Sequence, residues 1–136
     1  MSLSPSAKSL KKSTLLSVIE LGGYADFIPL YQRLGFSVTS ASSSRKAISA
    51  VKKLRPDVVV AEFNYQSDFR DRTSTLESLL ASIQRFAETK AIVFYENDTL
   101  PQLEKLLKQF SVFGTMAYPI EEAELSALLQ STQQND

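Results

Sequence analysis

The stretch DVVVAEF, residues 57–63, decides the fold. Valine, valine, valine and alanine follow one another with no polar break, and phenylalanine closes the run. A strand with one wet face alternates apolar and polar side chains. A run this continuous and β-branched fits a strand covered on both faces, inside a parallel sheet. Pro56 stands before it and ends the preceding helix. The polar segment 64–73 follows it and reads as a loop.

Working outward, the same alternation repeats on both sides. Upstream, TLLSVIE (14–20) is a short apolar run broken by Gly22-Gly23. Phe27, Leu30, Tyr31 and Leu34 then fall at helical spacing, and Gly35 stops that helix. Residues 36–40 read as a strand. Ser42, Ser43 and Ser44 offer an N-cap to a helix whose apolar face is Ala47, Ala50, Val51 and Leu54. Downstream, Leu76, Leu79, Leu80 and Ile83 mark a helix, and AIVFY (91–95) the fourth strand. Asp98 or Thr99 is the expected cap of a helix with Pro101 near its start and Leu103, Leu106, Leu107 and Phe110 on one face. Residues 112–117 read as the fifth strand. Glu121-Glu122 suit the first turn of a last helix carrying Leu125, Leu128 and Leu129.

Five strand-then-helix units imply a (βα)5 α/β domain. Parallel neighbours need crossovers, and each gap holds one helix-length segment. The expected organisation is a flexible leader over 1–13, one domain over 14–132 and a frayed tail over 133–136. Apolar residues make up 43% of the 136, enough for a core in one domain. No stretch nears the ~18 apolar residues of a membrane span, and Ser, Pro and Lys interrupt residues 3–13 where a signal peptide is apolar. A soluble, cytoplasmic protein is expected.

Chemistry is restricted by what the chain lacks. It has no cysteine and no histidine. Disulfides, thiolate nucleophiles, Cys-based metal sites and the commonest general base are therefore excluded. Fifteen basic residues balance fifteen acidic ones, which gives nucleic acid or an anionic membrane no surplus to bind. No enzyme activity, cofactor or metal is expected. In an open doubly wound sheet, ligands and partners meet the carboxyl ends of the strands. Those ends are Glu20, residues 62–64, Tyr95-Glu96 and residues 117–119.

Over about residues 14–130 the chain resembles the receiver domain of two-component response regulators. LRPDVVVAEF and AYPIEEAEL carry the resemblance. It implies a flavodoxin-like five-stranded sheet in the order 2-1-3-4-5, with helices one and five on one face and the other three opposite. It also implies a cis peptide before Pro119. Receivers hold Mg²⁺ on an acid pair and a phospho-accepting Asp, and grip the phosphoryl group with a Ser or Thr and a Lys. Carried over by position, the acid pair leaves at most Glu20. The acceptor falls on Glu62, the Ser/Thr on Tyr95, the Lys on Tyr118 and the aromatic switch residue on Thr115. Pro119 alone matches without change. The loop after the third strand is also longer than the family's.

These departures imply a degenerate, or pseudo-, receiver. Glu62 has two readings: a fixed negative charge imitating phosphoaspartate, or a drifted acid at a solvated strand end. On the first, Glu62→Gln weakens partner binding and leaves the fold intact. Tyr95 and Tyr118 are expected to plug the old pocket, the Tyr118 ring lying beside Glu62 and Tyr95; a ligand platform is the alternative. Glu20 reads as a solvated acid rather than a metal ligand, and Gly22-Gly23 as a tight turn rather than a phosphate cradle. Tyr65, Asp68, Phe69, Arg70, Asp71 and Arg72 in the loop 64–73 give it the composition of either an interface or a mobile loop.

The functional expectation is a non-phosphorylatable signalling or adaptor module that contacts another protein or an output domain, with a homodimer among the options. By resemblance, the contact face includes Gln102, Lys105, Lys108, Phe113 and Met116. Two alternatives stay open: a phosphorylation-competent receiver with an atypical site, and a small-molecule binder on a flavodoxin-like fold.

Overall fold

The computed structural model describes residues 13–65 and 75–133. Residues 1–12 of the leader, most of the loop 64–73 and residues 134–136 of the tail lie outside them. Five strands alternate with five helices: β1 (Thr14–Val18), α1 (Ile28–Arg33), β2 (Ser37–Ala41), α2 (Ser44–Leu54), β3 (Val58–Phe63), α3 (Thr75–Ile83), β4 (Lys90–Tyr95), α4 (Leu100–Leu107), β5 (Gly114–Ala117) and α5 (Glu122–Thr132). The sheet order is β2-β1-β3-β4-β5, and every pairing is parallel. The run of valines takes the centre because it can be covered on both faces, and all six β3 residues are buried.

Strand periodicity divides the core in two. Val59, Ala61 and Phe63 of β3 face a layer formed by Val51 of α2, Leu79 of α3 and Leu103 of α4. Val58 and Val60 face the other way, toward Leu30 of α1 and Leu125 of α5. Helices one and five thus cover one face and the remaining three the other, as expected. Glu62 continues the Val58-Val60 series. Parity alone therefore sends a carboxylate toward the α1/α5 layer, where the two preceding positions carry valine.

Local chemistry sets the element ends. The Ser43 hydroxyl accepts from the Lys46 amide and caps α2. Arg55 closes that helix in the left-handed region at φ 46°, its N–H donating to the Val51 carbonyl, and Pro56 prevents continuation. The side-chain cap expected from Asp98 or Thr99 does not form. A 3₁₀ turn over Asn97–Thr99 leads into α4 instead, and the Thr99 hydroxyl donates to the Glu96 carbonyl. The fifth strand begins at Gly114 rather than at 112. Among the described residues no helix is long and apolar enough to cross a membrane.

Candidate functional site

At the carboxyl end of β3 the Glu62 side chain is only 3% exposed. Its Oε1 accepts from the Glu20 N–H at 3.3 Å, the Leu21 N–H at 3.0 Å and the Asn64 side-chain amide at 3.0 Å. Its Oε2 accepts from the Gly22 N–H at 3.3 Å and the Tyr24 hydroxyl at 2.6 Å. Three consecutive backbone N–H groups that converge on one anion form a nest. Gly22 makes the bend available, with φ at 66°. Gly22-Gly23 form the expected tight turn, and the Gly22 amide, with those of Glu20 and Leu21, is engaged by the protein's own carboxylate.

The reading of Glu62 as a solvated acid is overturned, because β3 parity buries it and the β1–α1 loop closes over it. Burial pushes its pKa up. The hydrogen bonds from Tyr24, Leu21, Asn64 and Gly22 outweigh that effect and hold the carboxyl below the ordinary glutamate value. Burial, and then the bond to Glu62 and its charge, raise the Tyr24 hydroxyl well above the usual phenol range, so it stays a donor.

Tyr24 was not singled out from the sequence. The available signal was an aromatic residue directly after a strand-end Gly-Gly bend. Its ring lies 5.5 Å from the Tyr118 ring and meets Phe94 edge-on at 5.6 Å. Tyr118 packs on Phe94 at 6.1 Å. Tyr118 packs on Tyr24 and Phe94 at this end of the sheet, and the Tyr118–Pro119 peptide is cis, as expected. Tyr95 does not join it. Glu62 pairs in register with Phe94, and Phe63 with Tyr95. Tyr95 therefore points to the opposite face and packs with the α2/α3/α4 layer. Phe94 is the residue on the Glu62 side.

Glu20 is not a free solvated acid. Its Oε2 accepts from the Ser44 N–H at 3.0 Å and the Ser44 hydroxyl at 3.2 Å, in the first turn of α2. This places negative charge where the helix dipole favours it. The acids nearest the β1–α1 loop thus serve as acceptors for backbone groups, and among the described residues no three acids gather as a metal site. Beside Tyr24 and Tyr118 opens a cleft of about 530 Å³, lined also by Gly22, Gly23, Phe27 and Glu96.

No family model matches the sequence, and no curated protein does. Solved structures do. A response regulator receiver domain from Clostridium thermocellum matches with a TM-score of 0.71 at 18% identity, covering 88% of this chain and 93% of its own. The fold is that of a receiver domain. A CheY-like receiver domain from Methylobacillus flagellatus matches with a TM-score of 0.70 at 21% identity, over 90% of this chain and all of its own. A response regulator protein from Burkholderia multivorans gives 0.70 at 18% identity, over 93% and 98%. At these identities the likeness is one of fold.

Thr115 is exposed. Of the contact candidates, Lys105 and Lys108 are exposed, Gln102 is half-buried and Phe113 is 38% exposed. Met116 is buried at 8% exposure, packed into the α1/α5 layer. It is withdrawn as a contact residue, because β5 parity turns it inward beside Phe94.

Proposed function

We propose that this receiver-fold domain is a signalling or adaptor module that acts through protein contacts and accepts no phosphoryl group. One observation carries the reading. At the acceptor position, both oxygens of Glu62 are already engaged by five N–H and O–H donors. An attacking carboxylate needs a free oxygen directed at the donor phosphorus. A divalent cation needs several oxygen ligands, and here the carboxylate is ringed by positive ends of dipoles. The residues present do not fit Mg²⁺, and no lysine stands at position 118 to balance a phosphoryl dianion. The fixed charge also differs from a phosphoryl group in access: it is sealed under the β1–α1 loop, so it shapes that loop rather than presenting itself to a partner.

Titration of Mg²⁺ and beryllofluoride against backbone amide shifts tests the first half of the proposal, together with intact mass after exposure to acetyl phosphate. The expected result is no saturable shift at residues 20–24 or 62 and no mass gain. Saturable shifts centred on Glu20 and Glu62 establish a working receiver instead. The contact face proposed from the resemblance comprises Gln102, Lys105, Lys108 and Phe113. A charge-reversed Lys105→Glu/Lys108→Glu chain is expected to lose the partner that the unmodified chain captures from its native cell. Retention of that partner moves the contact elsewhere.

A further inference from the structure

The cleft at the carboxyl ends of β1, β4 and β5 is built for the opposite charge from a phosphate pocket. We propose that it receives the guanidinium of an arginine carried by the partner protein; this rests on the protein-contact reading above and specifies its chemistry. The cleft holds about 530 Å³, enough for that side chain and its neighbours, and no lysine or arginine is among the described residues lining it.

Its charged wall is Glu96, exposed at the end of β4. Among the described residues, the Glu96 carboxylate has neither a hydrogen bond nor an ion pair; only its backbone carbonyl is used, by Thr99. Behind it, Glu62 adds a second negative charge whose own acceptor capacity is spent. Both charges act on Tyr118, whose hydroxyl is raised above the usual phenol range by burial and then by Glu62 and Glu96.

Three aromatic residues, Tyr24, Phe27 and Tyr118, form part of the remaining lining. A guanidinium can lie on a ring face while its N–H groups meet a carboxylate, so it satisfies both kinds of wall at once. A quaternary ammonium has no N–H for Glu96. A phosphate meets two like charges. The rims favour a side chain delivered on a polypeptide. Leu21, on the loop that forms one wall, is 69% exposed, and Pro119 is exposed on the other. Residues adjoining the arginine can cover both, and arginine seated in a pocket is a common anchor of protein interfaces.

The test titrates the whole chain, followed by amide shifts, with four probes: N-acetyl-arginine N-methylamide, its citrulline counterpart, free L-arginine and inorganic phosphate. The blocked arginine is expected to give saturable shifts at Gly22, Gly23, Tyr118 and Ile120 with a Kd of about 1–10 mM, as suits one anchor. Citrulline, without the charge, should bind at least about fivefold more weakly, and phosphate not at all. Glu96→Gln lies on the surface and leaves the fold alone; it should cost the blocked arginine about fivefold or more in affinity. Equal binding of citrulline, or an unchanged affinity in Glu96→Gln, overturns the proposal. Tighter binding of free L-arginine than of its blocked form overturns the partner-borne source and makes this a small-molecule site. Failure here, with beryllofluoride still silent, leaves the phosphate-independent reading standing. Phosphoryl uptake removes that reading whatever arginine does.

Discussion

Replacing Glu62 by Gln alters no volume and tests the clasp directly. With its oxygen toward Glu20, Leu21 and Asn64, the glutamine side chain turns its NH₂ toward the Gly22 N–H and the Tyr24 hydroxyl. The hydroxyl can rotate and accept. The Gly22 N–H cannot, so one backbone donor is orphaned. The surviving bonds also change from charge-assisted to neutral. An orphaned buried donor costs about 1–3 kcal/mol, and charged bonds exceed neutral ones by about 1 kcal/mol. Relief of the desolvated charge offsets part of this. The net expectation is a loss of about 2–3 kcal/mol by urea denaturation, or about 10 °C in Tm for a domain of this size. Tyr24→Phe removes one donor to a charged acceptor and should cost about 1–2 kcal/mol. The double variant should lose less than the sum by at least about 1 kcal/mol, because the two groups share one bond. A Glu62→Gln protein within about 0.5 kcal/mol of the unmodified chain refutes the clasp and restores a solvated acid. On the mimic reading the sequence implied a weakened partner and an intact fold; five donors on one carboxylate add a stability cost to be measured beside partner binding.

Acid should act through the same group. Its folded pKa lies below the ordinary glutamate value, so its stabilisation is complete above about pH 5 and is lost as pH falls through the folded value. The stability difference between the unmodified chain and Glu62→Gln, measured by urea denaturation in steps from about pH 7 to about pH 3, should narrow only below about pH 4.3. Gly22→Ala places a Cβ 3.4 Å from the Ile19 side chain, an ordinary contact, but holds alanine at φ 66°; a loss of about 1 kcal/mol is expected from the backbone alone. Leu125 of α5 is fully buried, and Leu125→Ala should cost about 3 kcal/mol by the same assay, with any smaller loss showing that α5 collapses into the cavity.

The alternation of apolar runs and helical stripes settled the number, type and order of the elements, because burial on two faces of a sheet requires those periods. The valine run could only be a central strand, and Ser43 and Pro56 bound α2 as their local chemistry demands. The absence of histidine and cysteine limited the chemistry before any coordinate was known. The site was legible only in part. Glu62, Glu20 and Tyr118 were marked by position, yet Tyr95 was placed with Tyr118 and Met116 on the surface. Both errors come from strand register. A strand buried on both faces carries no hydrophobic alternation to show which residues share a face, and only pairing with β3 and β5 shows that Phe94, not Tyr95, stands beside Glu62. Sequence also cannot say where backbone amides point. Whether Glu62 meets water, a metal ion or its own chain depends on the path of the β1–α1 loop, which brings the amides of residues 20–22 and the Tyr24 hydroxyl onto a carboxylate some 40 residues away. Hydrogen bonds of that reach exist only once the sheet has set β1 beside β3, and so the tertiary structure decided the burial and the hydrogen-bond partners of Glu62.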